Sequence, residues 1–400
     1  MWTVHFLIYQ GKRICPSSDF CNTKEVAGQP PFFTREKESV MKFIHMGDVH
    51  LGAEPESGTY LGPIRKKEIW EAFRDAIGIC EKEDVDLLLI PGDLFHGQPL
   101  LREVKEVSYL FGSLSKTKVV LIAGNHDCLL DTSHYYDVVF PENVTFLMDA
   151  KEDSVYFPEW NTEVFGLSYE KKQISEPRYD RLQVSDENRI NILLAHGNIM
   201  GGDKSIPIKK SAIEEAGFDY AALGHLHTRI EISDRISYSG GFEPFDKKEI
   251  GQKGYIAGEI TKQGGVSEVR FRFVPHAKRQ YVRLEVEVLP EATEFSVEEA
   301  AYHQMMECGL QHMYLLSFTG KRAKEMALRT DIIRETLLRR GCHVIETEDV
   351  TSPDFSVDDL LGEHGDDFIG KYIRTLSQEK DAKLAAKATE YGLQALLLKE

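Results

Sequence analysis

Two histidines stand two residues apart in "GHLH", residues 224–227, directly after the apolar run Tyr220, Ala221, Ala222, Leu223. Alone, such a pair is no more than a surface turn. Four other loops share its character. "GDVH" supplies Asp48 and His50, "GDLFH" Asp93 and His96, "GNHD" Asn125, His126 and Asp127, and "AHG" His196, each at the end of a short apolar stretch. Six of the fourteen histidines fall in these five loops. His276, His303, His312, His343 and His364 share no spacing and read as surface or satisfied core residues.

Carboxylate, amide oxygen and imidazole nitrogen without thiolate make a mixed donor set that suits Mn²⁺, Fe²⁺ or Zn²⁺. Seven such ligands exceed what one ion takes and suit two, with one carboxylate bridging. Two ions roughly 3.5–4 Å apart lower the pKa of a shared water and stabilise both the attacking and the leaving oxygen of a phosphoryl displacement. Glycines beside the ligands would let the backbone turn sharply after each strand.

The elements that must position these groups follow from periodicity. "KFIHMGD", "VDLLLIPGD", "KVVLIAGNHD", "RINILLAHG" and "YAALGHLH" are short, nearly continuous apolar strands. Strands of that kind are buried on both faces, so helices or a second sheet cover them. Between them, Ile69, Phe73 and Ile77, and then Val104, Val107, Leu110, Phe111 and Leu114, fall at helical spacing. The result is a layered α/β domain, and the β-rich segments "RISYSGG", "GYIAGEI" and "VSEVRFRFV" supply a mixed or second sheet that closes it near Val274. Ligands in such sheets gather beyond the carboxyl ends of the strands, so the five loops are expected to converge on one crevice.

Past the basic connector "PHAKR", a strand, a helix over Val297–Cys308, a strand, a helix over Asp331–Arg339 and a strand form a smaller β-α-β-α-β domain, and from Ser356 the chain reads as helical. The expected division is therefore 1–40, 41–278, 279–355 and 356–400. Residues 15–34 mix Pro, Ser, Gly and Asn without period, which reads as disorder. Purine-rich "REKE" before Met41 suggests a ribosome-binding site translated in frame, with Met41 the true start. Mass spectrometry showing residues 1–40 on protein from the native locus would refute this.

With 48 Lys and Arg against 65 Asp and Glu, the net charge is −17, which excludes a surface that is basic all over. Any nucleic acid must meet a local basic patch, for which Lys204, Lys209, Lys210 and Arg229 beside the ligand loops are the candidates. No apolar run approaches the length needed to span a membrane. Six scattered cysteines without a C-x-x-C pair argue against a zinc ribbon and read as reduced thiols in the cytoplasm. Cys128 is a packing residue.

Taken in order, D-x-H, G-D-x-x-H, G-N-H-D, A-H-G and G-H-x-H over Asp48–His227 resemble the calcineurin-like metallophosphoesterase superfamily, an ordered set of high specificity. Within it, "HMGDVHLG", "PGDLFH" and "GNHDC" are most similar to the nuclease subunit of bacterial SbcCD and related DNA-repair exonucleases. The likeness is strong from Met41 to about Arg279 and loose beyond. It implies a layered β-sandwich flanked by helices, with a smaller α+β capping domain and a helical tail.

It also implies two divalent ions, with Mn²⁺ first and Fe²⁺ or Zn²⁺ as alternatives. Asp48, His50 and His227 would hold one, Asn125, His196 and His225 the other, and Asp93 would bridge them. His126 would orient the phosphate or protonate the leaving oxygen, with Asp127 steadying its ring, and His96 would contact the substrate phosphate. In an extended "GHLH", His225 and His227 lean to one side, and each imidazole would take a different ion.

The reaction implied is in-line attack on a phosphodiester by metal-bound hydroxide. DNA, an SMC-like coiled-coil ATPase and a second copy of the chain are the implied partners. Phe368, Ile369, Tyr372 and Ile373 form one apolar group that either meets the ATPase or packs on its own domain. One departure stands out: relatives often carry Ser-Pro after "YSG", whereas this chain reads "YSGGFEPFDKKEIGQKGY", so the rim of the site differs. A phosphodiesterase or phosphatase for cyclic nucleotides or similar small esters is the competing reading, and the full ligand set argues against a non-enzymatic scaffold.

Overall fold

The computed structural model describes residues 40–202 and 204–397. Apart from Val40, the expected N-terminal extension lies outside them. They divide into two compact units, with the boundary between Gln280 and Tyr281.

In the first unit the chain runs through β1 (Met41–His45), α1 (Gly62–Lys82), β2 (Leu87–Pro91), α2 (Leu101–Gly112), β3 (Lys118–Ile122), β4 (Val144–Phe146), β5 (Asp153–Phe157), β6 (Thr162–Gly166) and β7 (Ile190–His196). It continues through α3 (Lys210–Glu215), β8 (Tyr220–Gly224), β9 (Ile230–Glu231), β10 (Ile236–Tyr238), β11 (Gly254–Gln263) and β12 (Val266–Pro275). Two six-stranded sheets result, ordered β12-β11-β1-β2-β3-β4 and β5-β6-β7-β8-β10-β9. Strands β1 to β4 are mutually parallel, and β11 closes onto β1 antiparallel, Met41 opposite Ile260. In the second sheet β6, β7, β8 and β10 are parallel.

The period-two alternation of strand side chains explains the continuous apolar runs. Phe43, Leu87, Leu89, Val120 and Ile122 pack between the sheets against Val164, Ile192, Leu194, Tyr220 and Ala222. Their neighbours Ile44, Leu88, Ile90, Val119 and Leu121 face the other way and pack with Ile69 and Phe73 of α1 and Val104, Val107 and Phe111 of α2. Leu193, Ala195, Ala221 and Leu223 pack with Ile213 of α3 beyond the second sheet. This is a layered sandwich flanked by helices.

The second unit comprises β13 (Tyr281–Val288), α4 (Glu294–Cys308), β14 (Met313–Arg322), α5 (Thr330–Arg339), β15 (His343–Asp349), β16 (Ser352–Pro353), α6 (Val357–His364), α7 (Phe368–Leu376) and α8 (Ala382–Leu397). Strands β13, β14 and β15 form a parallel sheet, and β16 pairs with the end of β14. On β13, Val282, Leu284, Val286 and Val288 are buried with Val297, Ala301 and Met305 of α4, while Arg283, Glu285 and Glu287 are exposed.

The last three helices pack on one another through Leu360, Ile373 and Leu393. The expected apolar group on α7 is split: Ile373 is buried, Ile369 packs beside it, the Tyr372 hydroxyl donates to the Ala388 carbonyl, and Phe368 is exposed. Among the described residues no helix is long and apolar enough to cross a membrane.

Candidate metal centre

All five ligand loops leave the same ends of the parallel strands, three from the first sheet (β1, β2, β3) and two from the second (β7, β8). The sheets are tied together just behind them. His45 Nε2 donates to the Leu223 carbonyl (3.2 Å) and its Nδ1 accepts from the Tyr220 hydroxyl (3.0 Å). The ring is fully buried, and burial pushes its pKa down to about 3. The β1 and β2 loops keep pairing past the strands, His50 N donating to Asp93 O (3.0 Å) and His96 N to Leu51 O (3.0 Å).

The backbone here is bent at the ligands themselves. Asp48, His50, Asp93 and His225 all take positive φ (50°, 53°, 50° and 101°), a region costly for residues with a Cβ and one that clusters at functional sites. The flanking glycines have a different task from the sharp turns expected of them. Of Gly47, Gly92, Gly124 and Gly224, Gly92 alone has positive φ. Gly124 is required by close approach: a Cβ there would lie 2.1 Å from Asp93 Oδ1.

The loops bring together all seven expected ligands. His196 Nε2 and His225 Nδ1 both meet Asn125 Oδ1 (2.9 and 3.0 Å), and His50 Nε2 lies 3.1 Å from His227 Nε2. Asp93 Oδ2 stands between the two groups, 3.7 Å from His50 Nε2 and 3.4 Å from His196 Nε2. Asp48 accepts from the His225 amide through both oxygens (2.9 and 3.0 Å). Asp48, His50 and His227, and likewise Asp48, Asp93 and His196, each present ligand atoms within 4.8 Å of one another, arrangements that could hold a metal ion. A third such group, His50, His96 and His126, lies beside them.

The electrostatics match. Asp48, Asp93 and His50 are buried, and burial raises the Asp48 pKa and lowers that of His50. For Asp93 and His196 burial opposes both charges, but their mutual attraction outweighs it, holding the carboxyl below its usual range and lifting the imidazole to about 9. Two buried carboxylates facing several imidazoles, with oxygen and nitrogen donors converging and no thiolate among them, fit divalent cations.

His126 and Asp127 part company. The His126 amide donates to Asp93 Oδ1 (2.8 Å), and its Nδ1 donates to the His96 carbonyl (3.0 Å), which fixes the ring. Asp127 does not steady it. Its carboxylate is buried and accepts from Gly124 N (2.8 Å), Phe95 N (3.2 Å) and the Tyr135 hydroxyl (2.7 Å), while burial lifts its pKa to about 6. It therefore ties the β2 and β3 loops together. His96 is exposed, with Nδ1 3.3 Å from His50 Nδ1.

Sequence reasoning missed Tyr135, Phe245 and Glu249. Phe245 packs its ring against those of His227, His50 and His96, with centroids 4.6, 4.7 and 5.5 Å apart. Glu249 Oε1 accepts from His227 Nδ1 (2.8 Å). Both come from the "FEPFDKKEIGQKGY" segment between β10 and β11, which has no periodicity or motif to mark them. That segment is anchored by Arg65 of α1, fully buried, which donates to Glu243 Oε2 (2.7 Å) and the Pro244 carbonyl (3.1 Å). Three of the four candidate DNA-binding cations already have carboxylate partners: Lys209 with Asp180 (2.5 Å), Lys210 with Glu214 (3.5 Å) and Arg229 with Glu231 (3.0 Å).

Residues 41–229, the stretch carrying all five loops, match the calcineurin-like phosphoesterase family. The chain contains a calcineurin-like phosphoesterase domain. Its similarity to curated proteins runs through the same region. It is 29% identical over 239 residues to the uncharacterized metallophosphoesterase YhaO of Bacillus subtilis, covering 55% of this chain and 58% of that one. It is 27% identical over 274 residues to a subunit of the nuclease SbcCD of Staphylococcus epidermidis (59% and 69%), and 26% over 242 residues to the DNA double-strand break repair protein Mre11 of Aeropyrum pernix (53% and 56%). The matches thus span little more than half of YhaO and Mre11. Divalent metals are the cofactors of this family.

Proposed function

We propose that the chain is a dinuclear-metal phosphodiesterase that hydrolyses DNA. The observation that carries the reading is the position of Asp93, whose carboxylate stands between an Asp48–His50–His227 group and an Asn125–His196–His225 group. These residues would hold two divalent ions, Mn²⁺ first among the candidates, with Asp93 shared. Such a pair, when bound, supplies Lewis-acid activation of the phosphodiester and of the water that attacks it.

The chain's own groups do the rest. The His96 carbonyl accepts a hydrogen bond from His126 Nδ1–H and holds the ring, so that Nε2, when the imidazole carries a second proton, can donate to the substrate phosphate or hand that proton to the leaving oxygen. His96, exposed beside it, offers a second imidazole to the phosphate. DNA as substrate is supported by the likeness to a component of SbcCD and to Mre11, and with it go an SMC-like ATPase partner, a homodimer and a cytoplasmic location.

A small phosphate ester is the second reading, favoured by one observation: Lys209, Lys210 and Arg229 are each paired with an acid on a chain of net charge −17. The test supplies Mn²⁺ to the full chain and compares it with His126→Ala on linear duplex DNA, single strands, a generic phosphodiester and cyclic AMP. DNA cleavage that falls about 10²-fold or more in the variant, with metal uptake unchanged, is expected. Cleavage of the small substrates alone overturns the nuclease reading.

A further inference from the structure

We propose that Glu249 is the positioning residue of His227, holding its ring so that Nε2 faces the metal centre; this rests on reading His227 as a ligand. His196 and His50 show what an inward-facing imidazole needs. The Pro91 carbonyl can only accept, so His196 Nδ1 carries a proton (2.9 Å) and Nε2 is turned to Asn125 and Asp93. His50 places Nδ1 against His96 and Nε2 against His227. In each case one ring nitrogen is committed outward, and that fixes what the other presents inward.

For His227 the outward partner is a carboxylate. Glu249 Oε1 accepts from Nδ1 at 2.8 Å, and the side chain is only 11% exposed. Its second oxygen is buried with no hydrogen-bond partner, 3.6 Å from Lys253 Nζ. Lys253, itself 6% exposed, donates to the His227 carbonyl (2.5 Å). Ring, carboxylate, ammonium and backbone carbonyl thus close a loop on one residue, and the histidine is held at both its side chain and its main chain. Phe245 covers the same ring at 4.6 Å. The segment between β10 and β11 therefore supplies the support of one ligand.

The test uses the full chain with ¹⁵N-labelled histidine. The metal-free protein gives the His227 Nδ1–H signature, assigned with His227→Asn, and calorimetric titration with Mn²⁺ gives the binding steps. Glu249→Ala is expected to lose the signature and to weaken one Mn²⁺ step by roughly 10–100-fold, leaving the other in place. Glu249→Gln, which keeps an acceptor oxygen and the shape, is expected to retain the signature and most of the affinity; its melting temperature controls for folding.

Unchanged affinity and signature in Glu249→Ala overturn the proposal. So does a Glu249→Gln protein that melts like the wild type and keeps the signature yet binds as poorly as Glu249→Ala, since charge rather than positioning would then be at work. A wild-type chain that shows the signature, loses it in Glu249→Ala, and takes up no Mn²⁺ overturns the metal reading of the site while confirming that Glu249 orients His227.

Discussion

Replacing Gly124 with alanine places a Cβ 2.1 Å from Asp93 Oδ1 and 2.5 Å from the Asp93 amide nitrogen. Ordinary contact begins near 3.4 Å, so the Asp93 carboxylate and the β3 loop must separate by about 1.3 Å. The carboxylate is held by the His126 amide at 2.8 Å, and its other oxygen lies 3.4 and 3.7 Å from His196 and His50. A displacement of that size removes it from between the two ligand groups.

Overpacking of this kind costs about 1–3 kcal/mol, less than the roughly 5–15 kcal/mol that keeps a domain folded. The variant is therefore expected to fold, to melt several degrees lower, and to lose Mn²⁺ affinity and turnover by about 10²-fold, the scale set by an ångström of misplacement. Gly78→Ala is the control: it lies in α1 with nothing within 4 Å of the new Cβ and should gain up to about 1 kcal/mol. Calorimetric titration and thermal melting read both. A Gly124→Ala protein that binds Mn²⁺ as the wild type does would refute the placement of Asp93 at the junction.

His45 is buried neutral with its pKa pushed down to about 3, so the unfolded chain binds the extra proton first as pH falls; the stability it contributes is complete above about 6.5 and is lost toward 3. Denaturant melts with chelator between pH 7.5 and 5 should show His45→Gln lacking a slope of about 1.4 kcal/mol per pH unit that the wild type has below 6.5; identical slopes would refute this. Glu243→Ala leaves the fully buried Arg65 without its inner partner and should cost about 3 kcal/mol, read as a lower denaturant midpoint. Asp127→Asn sets an amide against three donors and should cost about 1–3 kcal/mol; because the His126 ring is held by the His96 carbonyl, turnover per folded molecule should stay within a few-fold of the wild type.

What can be read from the sequence is what repeats locally. Strands β1, β2, β3, β7 and β8 are apolar runs with a ligand at the last residue or within three residues beyond it, and a group at the end of a parallel strand must lie at one edge of the sheet wherever that strand sits. The ligand set needs no knowledge of which strand neighbours which. Everything that fails depends on separation in the chain. Glycines beside ligands suggest turns, but Gly124 is small because Asp93, thirty-one residues earlier, crosses it. Adjacency suggests that Asp127 serves His126, yet neighbours in a loop share no direction, and its partners are Gly124, Phe95 and Tyr135. Glu249 carries no signal in a polar loop without period, since its role exists only once β8 and the segment before β11 are side by side. The donors of a metal centre are thus legible as types at strand ends, whereas the groups that aim those donors are chosen by the fold.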